Sequence, residues 1–249
     1  MPHASKDMVS AFHQYFELAE AVSDEDCREA YRLRYQTYCI EERYFDPKDH
    51  TGAEEYDEYD SHSAQLLLKH RPSGKNIGTV RLILDDPGSP GRRLQVEEHL
   101  VIDKTKLDLD ILPRSQIAEI SRFSVLKAFS RRKHERPLVA QSGDTCAGPE
   151  RRKFPDPALA LIIGVIRLCM QKQVEHVLMC MTPGLSRLLK LYGFSMQAVG
   201  PLGEYYGRRR PYYTRTSETL AHLCEQHPQV WQLVMEGQHA DFAEKQDGE

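Results

Sequence analysis

The stretch Ile117–Val125 places a carboxylate, a hydroxyl and a guanidinium among apolar residues. If a strand over these residues alternates strictly, Glu119 and Ser121 share one face, and Ile120 and Arg122 share the other. Charged side chains inside an apolar strand are costly unless they are paired or used in chemistry. The stretch therefore predicts either a structural ion pair or a centre at which the Glu119 carboxylate accepts a proton.

The composition excludes several other kinds of chemistry. The chain has 249 residues, 40% hydrophobic and 28% charged, with a net charge of −4 at pH 7, which is typical of a globular protein without a nucleic-acid partner. The sequence contains no HExxH, no zinc spacing, no Walker A loop and no GxGxxG, so neither a metal nor a tightly bound cofactor is predicted. Six cysteines without a CxxC pair predict reduced thiols and a cytoplasmic location.

The elements that must position this stretch follow from periodicity. Apolar residues at helical spacing predict an amphipathic N-terminal helix over 8–22. A second helix begins at the N-cap Ser23 or Asp24, and its apolar stripe would continue to Ile40. Strands are predicted at 63–69, 77–84, 117–125, 176–181, 194–199 and 212–216. Helices are predicted at 96–101, 158–173, 184–192 and over a C-terminal tail, 218–249.

Two polar segments interrupt this pattern. The loop 42–60 ends in an acidic run, 54–60, which predicts either a solvated face or a carboxylate cluster that faces a cation. Residues 127–156 form an excursion rich in Arg, Lys, Gly and Pro, which predicts a mobile segment. No stretch approaches membrane-spanning length, and the first residues lack the apolar core of a signal peptide. The whole pattern predicts one α/β (α+β) domain over 1–249.

Several short motifs occur in a fixed order: Arg34-Tyr-Gln-Thr-Tyr38, Tyr44, Glu55-Tyr-Asp57-Glu-Tyr-Asp60, Gly78-Thr-Val-Arg81-Leu and Glu119-Ile-Ser-Arg122-Phe. Together they resemble one family, the acyl-homoserine-lactone (autoinducer) synthases of the GNAT acyltransferase superfamily. Tyr38 and Tyr44 stand where that family usually has Phe and Trp, so the acceptor pocket must differ. These departures resemble the N-acyl amino acid synthases and, more closely, the bacterial acyltransferases associated with PEP-CTERM/exosortase systems.

The resemblance implies a fold, an activity and a set of site residues. The fold is a mixed, mostly antiparallel GNAT-like sheet flanked by helices, with a splayed central strand. The activity is transfer of a fatty acyl chain from acyl-carrier protein to the amino group of an amino acid or a similar small amine. The implied catalytic residues are Glu119 as the base, with Ser121, Arg122 and Tyr192, and backbone amides of the splayed strand bind the oxyanion. The implied substrate-binding residues are Arg34, Tyr38, Tyr44, Asp57, Asp60, Arg81 and Phe123. For Arg81 and Asp57 the alternative role is a purely structural ion pair. For Tyr192 the alternative role is packing at a helix end.

The donor is predicted from a missing motif. GNAT enzymes that use acetyl-CoA hold its pyrophosphate on a Gly-rich loop at a helix N-terminus, and no such run follows Val125. Acyl-phosphopantetheine on acyl-carrier protein needs no such loop, although acyl-CoA remains open. The basic residues of the excursion, from Lys127 to Lys153, would either dock this acidic partner or form a solvated loop.

Three further expectations complete this interpretation. A lipid product implies peripheral contact with a membrane. A lactone synthase that consumes S-adenosylmethionine is the alternative enzyme. A non-catalytic module that binds the acyl chain or the carrier is the alternative of another class.

Overall fold

The computed structural model describes residues 8–130 and 156–236. Within them the chain forms seven α-helices: α1 (Met8–Tyr15), α2 (Asp24–Tyr35), α3 (Gln95–His99), α4 (Pro157–Gln171), α5 (Pro183–Leu191), α6 (Thr216–Gln226) and α7 (Pro228–Met235). The same residues form eight strands: β1 (Phe16–Ala21), β2 (Ser63–His70), β3 (Lys75–Ile83), β4 (Ile117–Val125), β5 (His176–Met181), β6 (Gln197–Ala198), β7 (Gly203–Glu204) and β8 (Arg208–Arg215).

The strands form one mixed sheet with the order β1-β2-β3-β4-β5-β8-β6, and β7 pairs with β8 outside this path. β2 and β3 are neighbours joined by four residues, 71–74, which is too short for a parallel crossover, so they form the predicted hairpin. β4 and β5 run parallel, whereas β5 and β8 run antiparallel. The predicted fold class, a mostly antiparallel GNAT-like sheet flanked by helices, is confirmed.

The chain divides into two compact units. The first unit comprises the described residues within Met1–Glu58, Gln65–Val80 and Arg122–Ile162. One of its apolar clusters buries Ala21, Ala30, Leu33 and Leu67. The prediction of a single domain over 1–249 stays a prediction.

The second unit comprises the described residues within Tyr59–Ala64, Arg81–Ser121 and Ile163–Glu249. Its core includes Ile83, Val96, Ile117 and Leu178, together with Tyr59. β5 contributes His176–Met181 as predicted, and nearly all of that strand is buried. The N-terminal part of β4 is therefore fixed within an apolar core.

β4 changes its pairing part of the way along its length. The parallel ladder with β5 extends from Ile117 opposite His176 to Ile120 opposite Met179, and the strand then continues to Val125. Arg122 has a φ of +50°, in the left-handed region that non-glycine residues seldom adopt. This backbone geometry interrupts the regular alternation of side chains immediately after Ser121.

The prediction of an N-terminal helix over 8–22 is wrong in its second half. α1 ends at Tyr15, and β1 pairs antiparallel with β2 from Phe16 opposite His70 to Ala21 opposite Gln65. The helical spacing is real, because the Phe12 and Phe16 rings still meet edge to face at 5.8 Å. Backbone hydrogen bonds to the β2 edge nevertheless outweigh helix propensity after Tyr15, since an open edge leaves its N–H and C=O groups unpaired.

The C-terminal region is helical as expected, with a break between α6 and α7 at His227 and Pro228. Helix formation begins at Thr216, two residues before the predicted tail, and residues 237–249 lie outside the described part of the chain. Most of the excursion 127–156 also lies outside it. None of the helices in the described residues is long and apolar enough to cross a membrane.

Candidate active site

Three of the four polar side chains of β4 belong to two clusters. Glu119 is 2% exposed and Ser121 is half-buried, both within the second unit. Arg122 belongs to the first unit and has the positive φ described above. Ser121 and Arg122, adjacent residues of one strand, thus serve different networks.

The cluster of the second unit is built around Arg81 of β3, which is 0% exposed. Its Nη1 lies 3.1 Å from Asp60 Oδ2, and its Nη2 donates to Gln95 Oε1 at 3.0 Å. Its Nε donates to Ser121 Oγ at 2.9 Å. A buried guanidinium requires this density of partners, because an uncompensated charge in the interior costs several kcal/mol.

Glu119 is held by the first turn of α3. Its Oε2 accepts a hydrogen bond from the Val96 backbone N–H at 2.9 Å. Val96 lies at the N-terminal end of that short helix, where backbone N–H groups lack partners within the helix. The contact fixes the orientation of a buried carboxylate on the strand that the sequence places at the centre of the chemistry.

The cluster of the first unit is built around Glu55, which is 1% exposed. Glu55 Oε2 accepts from Arg34 Nε at 2.7 Å, and its two oxygens accept from Arg122 Nε at 3.1 and 3.2 Å. Arg122 Nη2 also donates to Asp57 Oδ2 at 2.8 Å. Burial alone would lower the pKa of Arg122, but the Glu55 and Asp57 carboxylates outweigh it, so the net pKa is raised and the guanidinium stays charged.

These contacts decide between the two interpretations of the acidic run 54–60. Its carboxylates do face cations, and the cations are guanidinium groups: Glu55 and Asp57 meet Arg122, and Asp60 meets Arg81. Among residues 8–130 and 156–236, no group of three or more His, Cys, Asp or Glu side chains is placed to hold a metal ion.

An aromatic wall lies beside Arg122. After α2 the chain continues as a π-helical turn, Gln36–Glu41, in which the Glu42 N–H donates to Thr37 O. This turn presents Tyr38, whose hydroxyl donates to Phe123 O at 3.2 Å. The Tyr38 ring stacks on Tyr44 with centroids 6.2 Å apart, and the Arg122 guanidinium carbon lies 5.3 Å from the centroid of the Phe45 ring. Single π turns are frequent at functional sites.

Two buried thiols, Cys39 and Cys169, and the partly buried thiol of Cys180 are poor nucleophiles. Burial raises the pKa of Cys180 to about 12, opposed by Arg209 and supported by the Glu119 carboxylate. Burial likewise raises the pKa of Cys169 to about 12 and that of Cys39 to about 11. Because the thiolate is the reactive form, these three side chains are inert near neutral pH.

The structure brings most of the predicted site residues together in two sets. Arg34, Tyr38, Tyr44, Asp57, Arg122 and Phe123 belong to the first unit, and Asp60, Arg81, Glu119 and Ser121 belong to the second. Tyr192 is half-buried at the C-terminal end of α5, where its N–H bonds to Leu189 O, and its role as an acid stays a prediction. Lys127, expected to help dock a carrier, contacts Glu41 and lies 3.4 Å from Glu42.

Sequence reasoning missed three members of these clusters. Glu55 lay inside a recognised motif, but nothing marked it as the carboxylate shared by two arginines. Gln95 and Phe45 stood in a short helix and a polar loop, where neither periodicity nor spacing distinguishes a partner from a surface residue.

Comparisons with known proteins agree with this architecture. Residues 33–140 match the family described as acetyltransferase (GNAT) domain. No curated protein matches the sequence. Among solved structures, the AHL synthase LasI is 16% identical, with 82% of this chain and 91% of that chain covered and a TM-score of 0.53.

Two further structures are similar. TofI in a ternary complex with an inhibitor and MTA is 17% identical, covers 87% of this chain and 99% of that chain, and has a TM-score of 0.57. BjaI, a CoA-dependent acyl-homoserine lactone synthase with SAM and isopentyl-CoA, is 17% identical. The match covers 89% of this chain and 88% of that chain, with a TM-score of 0.55. At these identities the likeness establishes a shared fold. The family match extends from Leu33 through β2, β3 and β4, so this part of the chain is similar to a GNAT acetyltransferase domain.

Proposed function

We propose that this protein is an N-acyltransferase that moves a fatty acyl chain from acyl-carrier protein to the amino group of an amino acid or a similar small amine. The observation that carries the proposal is the buried Glu119 carboxylate on β4, oriented by the Val96 N–H. A carboxylate in this position is suited to accept the proton that an ammonium group must lose before it attacks. The association with PEP-CTERM/exosortase systems stays an expectation of the resemblance.

The reaction is aminolysis of a thioester. Glu119 takes a proton from the acceptor ammonium, directly or through water, and the free amine attacks the carbonyl carbon. A C–N bond forms while the carbonyl electron pair moves onto oxygen; the pair then returns as the C–S bond breaks. The departing thiolate takes up a proton from water or from Tyr192. The inert thiols support direct transfer without an acyl-cysteine intermediate.

The start of α4 supports a donor without a nucleotide. Pro157, the first helical residue, has no N–H, and the next N–H, that of Ala158, donates to the Asp156 carboxylate at 2.9 Å. The helix terminus that would hold a CoA pyrophosphate in an acetyl-CoA enzyme therefore already has an anion on it. Phosphopantetheine on a carrier protein lacks the nucleotide diphosphate and avoids this repulsion.

The arginine clusters fit a polar acceptor. Arg34 is fully buried against Glu55 and serves to shape the site. The Arg122 side chain is 11% exposed and lies beside Tyr38 and Phe45, so it is the better candidate to face an acceptor carboxylate. Tyr38, Tyr44 and Phe123 then form the acceptor wall, while Asp57 keeps Arg122 in place.

The function is tested by incubating the purified protein with acyl-carrier protein and a panel of amino acids and amines, followed by mass spectrometry of the products. We expect an N-acyl product from wild type and a rate about 10²–10⁴-fold lower from Glu119→Gln, which keeps the shape of the side chain but removes its basicity. The deficit should shrink as pH rises, because more acceptor then arrives deprotonated.

The other functions predict different outcomes of the same assay. Consumption of S-adenosylmethionine would identify a lactone synthase, and binding of acyl-carrier protein without thioester cleavage would identify a binding module. A folded Glu119→Gln variant that transfers at the wild-type rate across the pH range would reduce Glu119 to a structural residue.

A further inference from the structure

The Ser121 hydroxyl has a hydrogen whose direction is constrained by its neighbour. Arg81 Nε lies 2.9 Å from Ser121 Oγ, and a guanidinium nitrogen can only donate. Ser121 Oγ is therefore the acceptor in this contact, and its own O–H must point elsewhere. Within the described residues the Ser121 side chain makes this one hydrogen bond. Its O–H is therefore left to donate to a group that enters the site.

The environment strengthens that hydroxyl as a donor. Arg81 is fully buried and is held from two other directions by Asp60 and Gln95, so its Nε is fixed in place. A cation that donates to a hydroxyl oxygen draws electron density from it and polarises the O–H bond. Electrostatic contacts of this kind count for more in a buried site than in water.

Ser121 lies on the same face of β4 as Glu119. The two residues stand two apart on β4, so their side chains leave the same face about 6.6 Å apart along the strand. A base that contacts the amine and a donor that contacts the carbonyl oxygen must bracket the C–N bond being formed. Two hydrogen bonds of about 2.8 Å each, plus the reacting atoms between them, span a distance of this order.

We propose that Ser121 is a catalytic residue whose O–H, polarised by Arg81, donates to the oxyanion of the tetrahedral intermediate; this assignment rests on the proposed function. As the amine nitrogen bonds to the carbonyl carbon, the carbonyl electron pair moves onto oxygen and the Ser121 hydrogen bond stabilises that charge. When the C–S bond breaks, the pair returns to form the amide carbonyl. Ser121 keeps its proton and forms no covalent bond at any stage.

Kinetics of three serine variants provide the first test. Ser121→Ala should lower kcat by about 10²–10³-fold, the usual effect of losing one oxyanion donor, with little change in KM for the acyl donor. Ser121→Thr keeps the hydroxyl and should recover most of that loss. Ser124→Ala is the matched control on the same strand: its hydroxyl is buried without a hydrogen-bond partner among the described residues, and its removal should leave kcat unchanged.

Two further readouts separate this role from a structural one and from that of Glu119. The Ser121→Ala deficit should be independent of pH, whereas that of Glu119→Gln should shrink as pH rises. Calorimetry should show that wild type binds a ketone isostere of acyl-pantetheine more tightly than the matching thioether, and that Ser121→Ala loses this preference because the thioether offers no carbonyl oxygen.

The outcomes distinguish the two hypotheses. If wild type transfers acyl groups and Ser121→Ala does so at the same rate with the ketone preference intact, the role of Ser121 is wrong and the proposed function stands. If wild type neither transfers acyl groups nor prefers the ketone, both are wrong. If Ser121→Ala unfolds, Ser121→Cys, a weaker donor of similar size, takes its place in the test. Loss of the ketone preference in Ser121→Cys supports the assignment, and an intact preference overturns it.

Discussion

Glu55 joins two guanidinium groups that lie far from each other in sequence. Arg34 is on α2 and Arg122 is on β4, and both donate to this one carboxylate. A run of acidic residues is usually a solvated face, and composition alone cannot identify the one member that is buried. The motif order identified the participants, but the shared carboxylate follows only from the tertiary structure.

The variant Glu55→Gln should therefore be strongly destabilising. It removes the negative charge that the buried Arg34 and Arg122 guanidinium groups share, and breaking one side of a buried ion pair costs about 3–5 kcal/mol. Urea denaturation measures the change in free energy of unfolding. Glu54→Gln is the matched control, because Glu54 lies 3.5 Å from the partly exposed Arg32 and should cost less than about 1 kcal/mol. Equal losses for the two variants would mean that burial of Glu55 adds nothing.

At the scale of elements, periodicity predicted the buried strands well and misjudged the segments whose geometry depends on a neighbour. β4 and β5 begin and end where their apolar patterns do. The stripe predicted to reach Ile40 fails because the π-helical turn shifts the phase: Ile40 is 44% exposed and Cys39 is buried instead. β1 was missed because only an open β2 edge turns those residues into a strand.

β3 and β4 approach each other closely at Gly78. A Cβ there would lie 2.8 Å from the Ser124 carbonyl oxygen, a backbone atom that cannot move without displacing the strand. Gly78→Ala should therefore force the strands apart at a cost of about 1–3 kcal/mol, measured as a loss of free energy of unfolding. Acyl transfer should also fall, because β4 carries Glu119 and Ser121.

Gly184→Ala is the control for this prediction. A Cβ at Gly184 would lie 3.8 Å from Thr182 Oγ1, an ordinary contact, in the first turn of α5. Replacement of glycine by alanine in such a helix should stabilise the protein by up to about 1 kcal/mol. If Gly78→Ala is equally harmless, the close approach does not constrain the sheet.

At the scale of the whole molecule, the order of motifs predicted the fold, and two of the motifs, Gly78–Leu82 and Glu119–Phe123, lie on the neighbouring strands β3 and β4. The roles of the site residues stay predictions. The order of motifs did not predict which partner each arginine meets: Arg81 contacts Ser121, and Arg122 contacts Glu55. It also did not predict the left-handed φ of Arg122. A positive φ at arginine leaves no signal in sequence, since intrinsic preference disfavours it and tertiary contacts impose it.

The choice of donor is the prediction that involves the whole chain. It compares kcat/KM for one acyl chain on acyl-carrier protein, on pantetheine and on CoA. We expect acyl-carrier protein to exceed acyl-CoA by at least about tenfold, equivalent to about 1.4 kcal/mol, and acyl-pantetheine to match or exceed acyl-CoA. The reason is that the Asp156 carboxylate occupies the α4 terminus, so the CoA diphosphate gains no hydrogen bonds there and meets a like charge.

A substitution and a change of salt concentration separate the contribution of the carrier protein from that of the α4 terminus. Asp156→Asn keeps the helix cap but removes its charge, so it should raise kcat/KM for acyl-CoA relative to acyl-pantetheine while leaving the latter unchanged. Added salt should reduce the advantage of the acidic carrier protein, because charge pairs between two protein surfaces are screened, and should leave acyl-pantetheine unaffected. Equal or better use of acyl-CoA by the wild-type protein would contradict the carrier-protein assignment. If salt does not reduce the advantage of acyl-carrier protein over acyl-CoA, apolar contacts rather than charge pairs recognise the carrier.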